Sequence, residues 1–528
     1  METHCYPITI VPHLHRLFTD YAESEQVLRP FFAVSPRDEN WAAGGVAFGG
    51  DRERLAGLLE KQNRAWGAGP ATLENIERIR RGANVVVTGQ QVVLFGGSLF
   101  TLYKAATAIA RAKAAGAVPV FWLATGDHDL AEVNHVTLAA RHELAMLKLE
   151  PEAAAGQPVG GIRLGAGIEA VLEQAAEILG DVPEMDLLRE AYRPEATFGE
   201  AFARLLLTTF ARQGLVVADA TGREFHAAGA RVLRAAIERA DELEALLHER
   251  DRLLAERGYH SQVLVAAKSS LLFLIDKETG ARQVLKRSDD GQWLAGKAGH
   301  TTAELLAILE SEPERLSPNA LLRPVFQDVV LPTLAYIGGP AEIAYFAQTQ
   351  VLYEALLGRV TPVLPRMSVT LVDAALRRLM MQHGVGLEDV FRLRPDELAQ
   401  RLGARAMPVE GKQQLAATGQ ALDRELTALT EWMRTMDAGL GRSAETSASK
   451  MRYQMNRLRR MAANFQLQKE ESLRRQVDAL YLGLYPNLHL QERVVGGVSY
   501  LARCGEALVD ALVAAAAELC PGHREIHM

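Results

Sequence analysis

The sequence predicts an α/β protein: a doubly wound parallel sheet with helices on its faces, followed by a helical coiled-coil arm. Three observations carry this. Val85-Val86-Val87-Thr88-Gly89-Gln90-Gln91 and Val118-Pro119-Val120-Phe121-Trp122-Leu123 are short apolar runs that end abruptly in polar residues. Between them, Leu99, Leu102, Ala106 and Ile109 recur at helical spacing, so strand, helix and strand follow one another as a crossover unit. Far downstream, Leu415, Leu422, Leu429 and Met436 repeat every seven residues, with Leu426, Met433 and Leu440 at the complementary offset, which is a coiled-coil seam.

Taken in order, residues 1–135 form the first part of the core. Residues 50–81 are helical, the strands begin at Val85 and Val118, and Gly116 stops the helix between them. Residues 136–183 lose the pattern and read as a first connecting insertion with small strands. The core continues over 184–258, with a strand at Gly214–Asp219 and a long amphipathic helix over 223–257. Residues 259–315 carry three apolar runs around the turn Lys277-Glu278-Thr279-Gly280 and read as a second, antiparallel insertion. The sheet resumes at Thr333–Ile337 and Thr361–Leu364 within the last core segment, 316–375. Residues 376–485 form the arm and 486–528 a helical tail. In the arm, the polar stretch Gly441–Ser449 separates the first seam from a second at Met451, Met455, Leu458, Ala462 and Phe465, which slips to Leu473, Val477, Leu480 and Leu484. Two such arms fold as an antiparallel hairpin that packs on the body or pairs with a second copy.

Composition narrows the function classes. The 528 residues are 48% hydrophobic and 23% charged with a net charge of −7, typical of a soluble globular protein and without a basic field for nucleic acid. The apolar stretch from Val329 to Ala347 is broken by Pro332, Gly338, Gly339, Pro340 and Glu342, so it is not a membrane span. Cys5, Cys504 and Cys520 have no metal-like or redox-like spacing and read as three reduced thiols. The segment Met1–Asp20 lacks a signal-peptide core, and a cytoplasmic location is expected.

In open parallel sheets ligands bind outside the carboxyl ends of the strands, where this chain concentrates its polar residues. After Thr88, Gly89 allows a sharp turn and close ligand approach, and Gln90 and Gln91 each donate and accept hydrogen bonds. The bland alternative is a solvated strand-loop connection. No Gly-Lys-Ser/Thr ending follows, so this is not a P-loop. Lys104, six residues into the helix after Ser98, need not face a ligand. Gly126-Asp127-His128-Asp129 ends the second strand with three ionisable groups and supports three readings. It is a small-molecule site in which a carboxylate holds an ammonium and His128 moves a proton, a helix-capping turn, or, with Glu132 and His135, a loose metal-ligand list. The seven-residue gap between His128 and His135 does not match a helical metal pair. Asn319, Arg323 and Gln327 share a helical face, where Arg323 would take a carboxylate or phosphate, or a buried acid of the core. Gly338-Gly339 precedes Pro340 and Glu342 at a helix start and permits close backbone approach. Arg366 and Ser368 follow the last strand and could close over a nucleotide.

With these residues in place the chain resembles the bacillithiol biosynthesis cysteine-adding enzyme family. The resemblance rests on Thr88–Gln91, Leu94-Phe95, Tyr103-Lys104, Trp122-Leu123 with Asp127–Asp129 and Asn134-His135, Gly258-Tyr259-His260, Ser317–Pro324, Gly338–Tyr345 and Leu490–Arg493. Ser98 stands where proline is expected and Gly126 where many relatives carry an acid. The resemblance implies a cytosolic ligase joining L-cysteine to glucosaminyl-malate. It also implies a Rossmann-like core similar to class I aminoacyl-tRNA synthetases, two connecting insertions and a coiled-coil arm, whose heptads lead us to expect a homodimer. Amide formation from a free carboxylate is uphill, so ATP or another activating nucleotide is expected, with no metal beyond Mg accompanying it. On this reading Asp127, His128 and Asp129 are catalytic. Gln90, Gln91, His135, Asn319 and Arg323 bind substrate, and Thr88, Gly89, Gly338 and Gly339 hold the nucleotide. A metal-dependent hydrolase at Asp127, His128 and His135, and a non-catalytic coiled-coil scaffold, are the alternatives.

Overall fold

The crossover unit forms as its apolar runs require. The computed structural model describes residues 2–24, 26–140, 142–469 and 471–528. Strands β1 (Val85–Gln90) and β2 (Val118–Leu123) lie parallel, with Val85 opposite Val118 and Gln90 opposite Leu123. Helix α1 (Phe100–Ala114) connects them. Strand β3 (Val216–Ala218) adds beside β2, β4 (Thr333–Gly338) beside the other edge of β1, and β5 (Val363–Pro365) outside β4, all in parallel. Every residue of β2, β3 and β4 is buried, which is why these strands read as continuous apolar runs rather than alternations. The sheet order is therefore β3-β2-β1-β4-β5. The chain builds outward from β1 in one direction, then returns and builds in the other. The crevice beyond the ends of β1 and β4 is thus a topological switch point, where doubly wound sheets bind ligands.

Two further helices frame that crevice: α2 (Arg323–Val330) and α3 (Pro340–Leu357). α3 starts where the sequence placed it. Pro340 occupies the first turn, and the Glu342 carboxylate accepts from the Gly339 N–H at 2.7 Å.

The segment after β2 carries a two-stranded hairpin, His135–Ala139 with Leu144–Lys148. A larger antiparallel sheet follows the α-helical segment 223–256. In it Ser269–Ile275 pairs with Arg282–Arg287, and Leu316–Pro318 adds to its free edge. Asp276 closes the turn by accepting from the N–H groups of Glu278 and Thr279. This register sets Arg282 opposite Ile275.

Three features differ from the sequence reading. The long helix over 223–257 is two helices, Arg223–Glu238 and Ala240–Glu256, broken at Arg239. Its guanidinium turns to the Glu242 carboxylate and the Ala355 carbonyl. Cys5 and Cys520 are not reduced thiols but a disulfide, with Cα atoms 5.9 Å apart, and Cys504 stands outside it. Residues 3–6 pair antiparallel with residues 523–526, which brings together two cysteines that are 515 positions apart in sequence.

The third difference lies in the helical unit, residues 371–490. Its hairpin turns at Asp437, between Val409–Met436 and Ala438–Lys469, and the polar stretch 441–449 lies inside the second helix. Asp437 has extended backbone and its carboxylate accepts from the Leu440 N–H, which caps the new helix as effectively as a longer loop would. The pairing is antiparallel, with Asp423 beside Arg452 and Arg434 beside Gly441. The hairpin buries Leu426, Ala448, Met455 and Ala463, while Leu429, Met436, Met451, Leu458 and Phe465 stay exposed. Among the described residues no helix is long and apolar enough to cross a membrane.

Candidate active site

Two neighbouring cavities open at the carboxyl end of the sheet. The first, about 500 Å³, fills the switch point. Gly89, Gln90 and Gln91 from β1 and its loop form one wall, and Gly339, Pro340 and Glu342 from the start of α3 the other. Lys104 enters from α1. Its ammonium donates to the Gly89 carbonyl at 2.7 Å and to Gln90 Oε1 at 3.0 Å, and pairs with Glu342 at 2.5 Å. Tyr336 donates to the other Glu342 oxygen at 2.5 Å. Burial alone would raise the Glu342 pKa. The Lys104 ammonium, the Tyr336 hydroxyl and the Gly339 N–H outweigh it and hold the carboxyl below its ordinary value. Burial also lowers the Lys104 pKa, with Glu342 opposing.

Arg323 projects from the first turn of α2, donating to Gln327 Oε1 and the Tyr345 hydroxyl, each at 3.0 Å, with its guanidinium over the Tyr336 ring. Arg366 follows β5 and pairs with the fully buried Glu492 at 2.6 Å. Glu492 also accepts from the Val369 N–H and the Ser368 hydroxyl. Arg493 completes the cationic wall. Among the described residues, Lys104 and Arg366 have carboxylate partners and Arg323 and Arg493 have none within ion-pair distance.

The second cavity, about 360 Å³, shares Trp122, Ala124, Asp127 and Arg323 with the first. Its other walls are largely apolar: Phe273, Pro318 and Phe326. Asp127 stands between the cavities, accepting from Gln91 Nε2 at 2.6 Å and from the His128 N–H at 2.7 Å. Burial lowers the pKa of His226 on the far wall, and its Nδ1 lies 3.1 Å from the Gly222 carbonyl.

Of the residues singled out in the sequence, Gly89, Gln90, Gln91, Asp127, Arg323 and Gly339 line the switch-point cavity, and His128 and Asn319 line its neighbour. Asn319 also holds the turn that leads into α2 by accepting from the N–H groups of Leu321 and Leu322. Asp129 and His135 line neither cavity. Asp129 caps a short helix by accepting from the Ala131 N–H, and His135 begins the small hairpin. The Thr88 hydroxyl is buried against the Ile337 carbonyl, tying β1 to β4 beneath the site, and Gly338 packs on Glu342, Ile343 and Val363. Among the described residues no three His, Cys, Asp or Glu side chains converge as metal ligands. Lys104, Glu342, Tyr336, Arg493 and Arg282 escaped the sequence reading. The conjunction of Lys104 and Glu342 with glycines at both strand ends was the one usable signal for the first two.

A Rossmann-like sheet with a cation-lined crevice at its switch point is the architecture of an α/β enzyme acting on small molecules. Comparison with known proteins places it more closely. Residues 1–367 match the family model of the N-terminal Rossmann-like domain of bacillithiol biosynthesis BshC, and residues 369–528 that of its C-terminal coiled-coil domain. Relatives named "Putative cysteine ligase BshC" are 42% identical in Koribacter versatilis and 35% identical in Solibacter usitatus, each match covering 99% of both chains. A third, from Salinibacter ruber, is 32% identical over 94% of this chain and 93% of its own. The chain belongs to the BshC family of bacillithiol biosynthesis.

Proposed function

We propose that this enzyme joins the carboxyl of L-cysteine to the amine of glucosaminyl-malate through an amide bond, after the carboxyl has been activated by a nucleotide such as ATP. The observation that carries the reading is the pair of adjoining cavities, one lined by cations and one largely apolar, meeting at Asp127. The malate carboxylates suit Arg493 and Arg323, the two cations of the first cavity without a carboxylate partner among the described residues. The end of β1 at Gly89 and Gln90 and the start of α3 suit nucleotide phosphates, because the first-turn N–H groups of Ala341 and Glu342 have no acceptor within the helix. A Cβ at Gly339 would lie 3.4 Å from Glu342 and 3.5 Å from Arg366, in the space between the two charged groups. The nucleotide, accompanied by Mg, supplies a leaving group on the carboxyl. The chain's own residues orient the reactants and move the proton. Asp127 holds an ammonium or sugar hydroxyl, and His128, whose Nδ1 is 3.8 Å from Asp127 Oδ1, accepts the proton that the attacking amine gives up. Asp129 acts by fixing the turn that carries them.

The exposed apolar stripe of the helical hairpin, Leu429, Met436, Met451, Leu458 and Phe465, is proposed to be covered by a second copy of the chain. Leu429→Glu with Phe465→Glu is expected to shift sedimentation from dimer to monomer.

The reaction is tested with purified protein, L-cysteine and glucosaminyl-malate, with and without ATP, following the thiol product by mass spectrometry. Product that needs ATP supports the reading. Product formed without any nucleotide contradicts the activation step, and absence of product with all three contradicts the ligase assignment.

A further inference from the structure

The second insertion delivers a cation to the smaller cavity. Arg282 begins the strand Arg282–Arg287, directly after the turn that Asp276 closes. Its guanidinium lies over the Phe273 ring, 3.7 Å from the ring centroid. Nε donates to the Ser317 hydroxyl at 3.0 Å and Nη2 to the Pro318 carbonyl at 2.9 Å. The side chain is therefore held rigidly by neutral groups on three sides. Among the described residues no carboxylate pairs with it and Nη1 has no hydrogen-bond partner. Burial pushes its pKa down to about 10, and only the charge of Asp127 opposes this. Desolvating a guanidinium without an anion is unfavourable, and an anionic ligand in the cavity would relieve it.

The remaining charge in this lobe decides which ligand. A phosphate would be better served by the neighbouring cavity, with its several cations and the start of α3. Here Arg282 faces one carboxylate, Asp127, across a small space with aromatic and proline walls. Arg323 stands at the boundary with the first cavity and is already engaged by Gln327 and Tyr345, so Arg282 and Asp127, both lining the cavity but not in contact, are the pair that complements a small zwitterion. We propose that Arg282 and Asp127 form a clamp for an α-amino acid, its carboxylate on Arg282 and its ammonium on Asp127. The clamp rests on the ligase reading for the identity of the amino acid and extends it by assigning that substrate to the second lobe. The carboxylate is then held by a planar fork at the boundary of the cation-lined lobe, where the activating group and the amine nucleophile arrive. The uncharged walls favour a short, uncharged side chain over an acidic or basic one.

The test is calorimetric titration of the full-length protein with L-cysteine, cysteamine, which lacks the carboxylate, and 3-mercaptopropionate, which lacks the ammonium. Wild type is expected to bind cysteine about 10- to 100-fold more tightly than either fragment, the scale of one charge-assisted contact. Arg282→Met is expected to lose that margin over cysteamine while cysteamine itself and malate, the probe of the first cavity, bind as in wild type. Asp127→Asn is expected to lose the margin over 3-mercaptopropionate. Unchanged cysteine affinity in Arg282→Met overturns the clamp, as does equal wild-type affinity for all three compounds. If L-serine and L-alanine show the same Arg282 dependence with no preference for cysteine, the clamp stands and the cysteine assignment fails. If wild type makes the thiol product and Arg282→Met leaves the KM for cysteine unchanged, the ligase reading stands and the clamp fails.

Discussion

The two cavities share a wall, and the cations around them are of two kinds, matched inside the protein or left unmatched. At the switch point, Lys104 and Arg366 are matched inside the protein by Glu342 and Glu492, and each of these carboxylates also accepts from backbone and hydroxyl donors. In the smaller lobe Arg282 is oriented by Ser317, Pro318 and Phe273, none of which neutralises it. Paired charges of the first kind shape a cavity and tie sheet to helices. An unmatched, immobilised charge of the second kind awaits a ligand. The same residue types thus serve stability in one place and recognition in the other, and the presence of a carboxylate partner separates the roles.

That contrast can be broken by mutation. The largest effect is expected from Lys104→Met, which strands the buried Glu342 carboxylate. Stability should fall by about 3–5 kcal/mol in urea denaturation, and adding Glu342→Gln should restore part of it. Arg282→Met leaves no carboxylate stranded, so its stability should stay within about 1 kcal/mol of wild type while substrate binding suffers. Equal destabilisation by the two substitutions would erase the distinction.

Asp127→Asn, at the boundary between the lobes, should lower kcat/KM by about 100-fold with an unchanged circular dichroism spectrum, because the carboxylate is partly exposed and is in ion-pair contact with no buried cation. A smaller effect concerns pH. His523 lies beneath Arg366, its ring nitrogens 2.8 Å from the Ser368 hydroxyl and 2.9 Å from that of Thr370, and burial pushes its pKa down to about 4 from 6.5. Between those values the unfolded chain binds a proton that the folded chain does not. Stability should therefore fall as pH drops through this window, by at most about 3 kcal/mol. His523→Gln should flatten the slope there, as read from denaturation midpoints at several pH values.

The strands of the core were legible because buried parallel strands are unbroken apolar runs, as Val85–Val87 and Val118–Leu123 show. Gln90, Gln91 and Asp127 were legible because strand ends in such sheets face ligands. What the sequence concealed depends on distant partners. Lys104 looked like an ordinary helix position, and only the approach of α3 gives it Glu342. Arg282 sits in an antiparallel insertion whose periodicity says nothing about where its edge docks. Cys5 and Cys520 meet because the chain ends pair as strands. In the hairpin, the heptads located the helices but not the turn, since Gly441–Ser449 is compatible with helix once Asp437 has capped it. Nor did the heptads separate the residues buried inside the hairpin from those left exposed, because both follow the same seven-residue period.

The division of labour between the lobes is tested most directly by measuring the two KM values, for L-cysteine and for glucosaminyl-malate, in Arg282→Met and Arg493→Met. The account predicts a crossed pattern: Arg282→Met raises the KM for cysteine alone, and Arg493→Met that for glucosaminyl-malate alone. Both substitutions raising the same KM, or neither changing one, would contradict it.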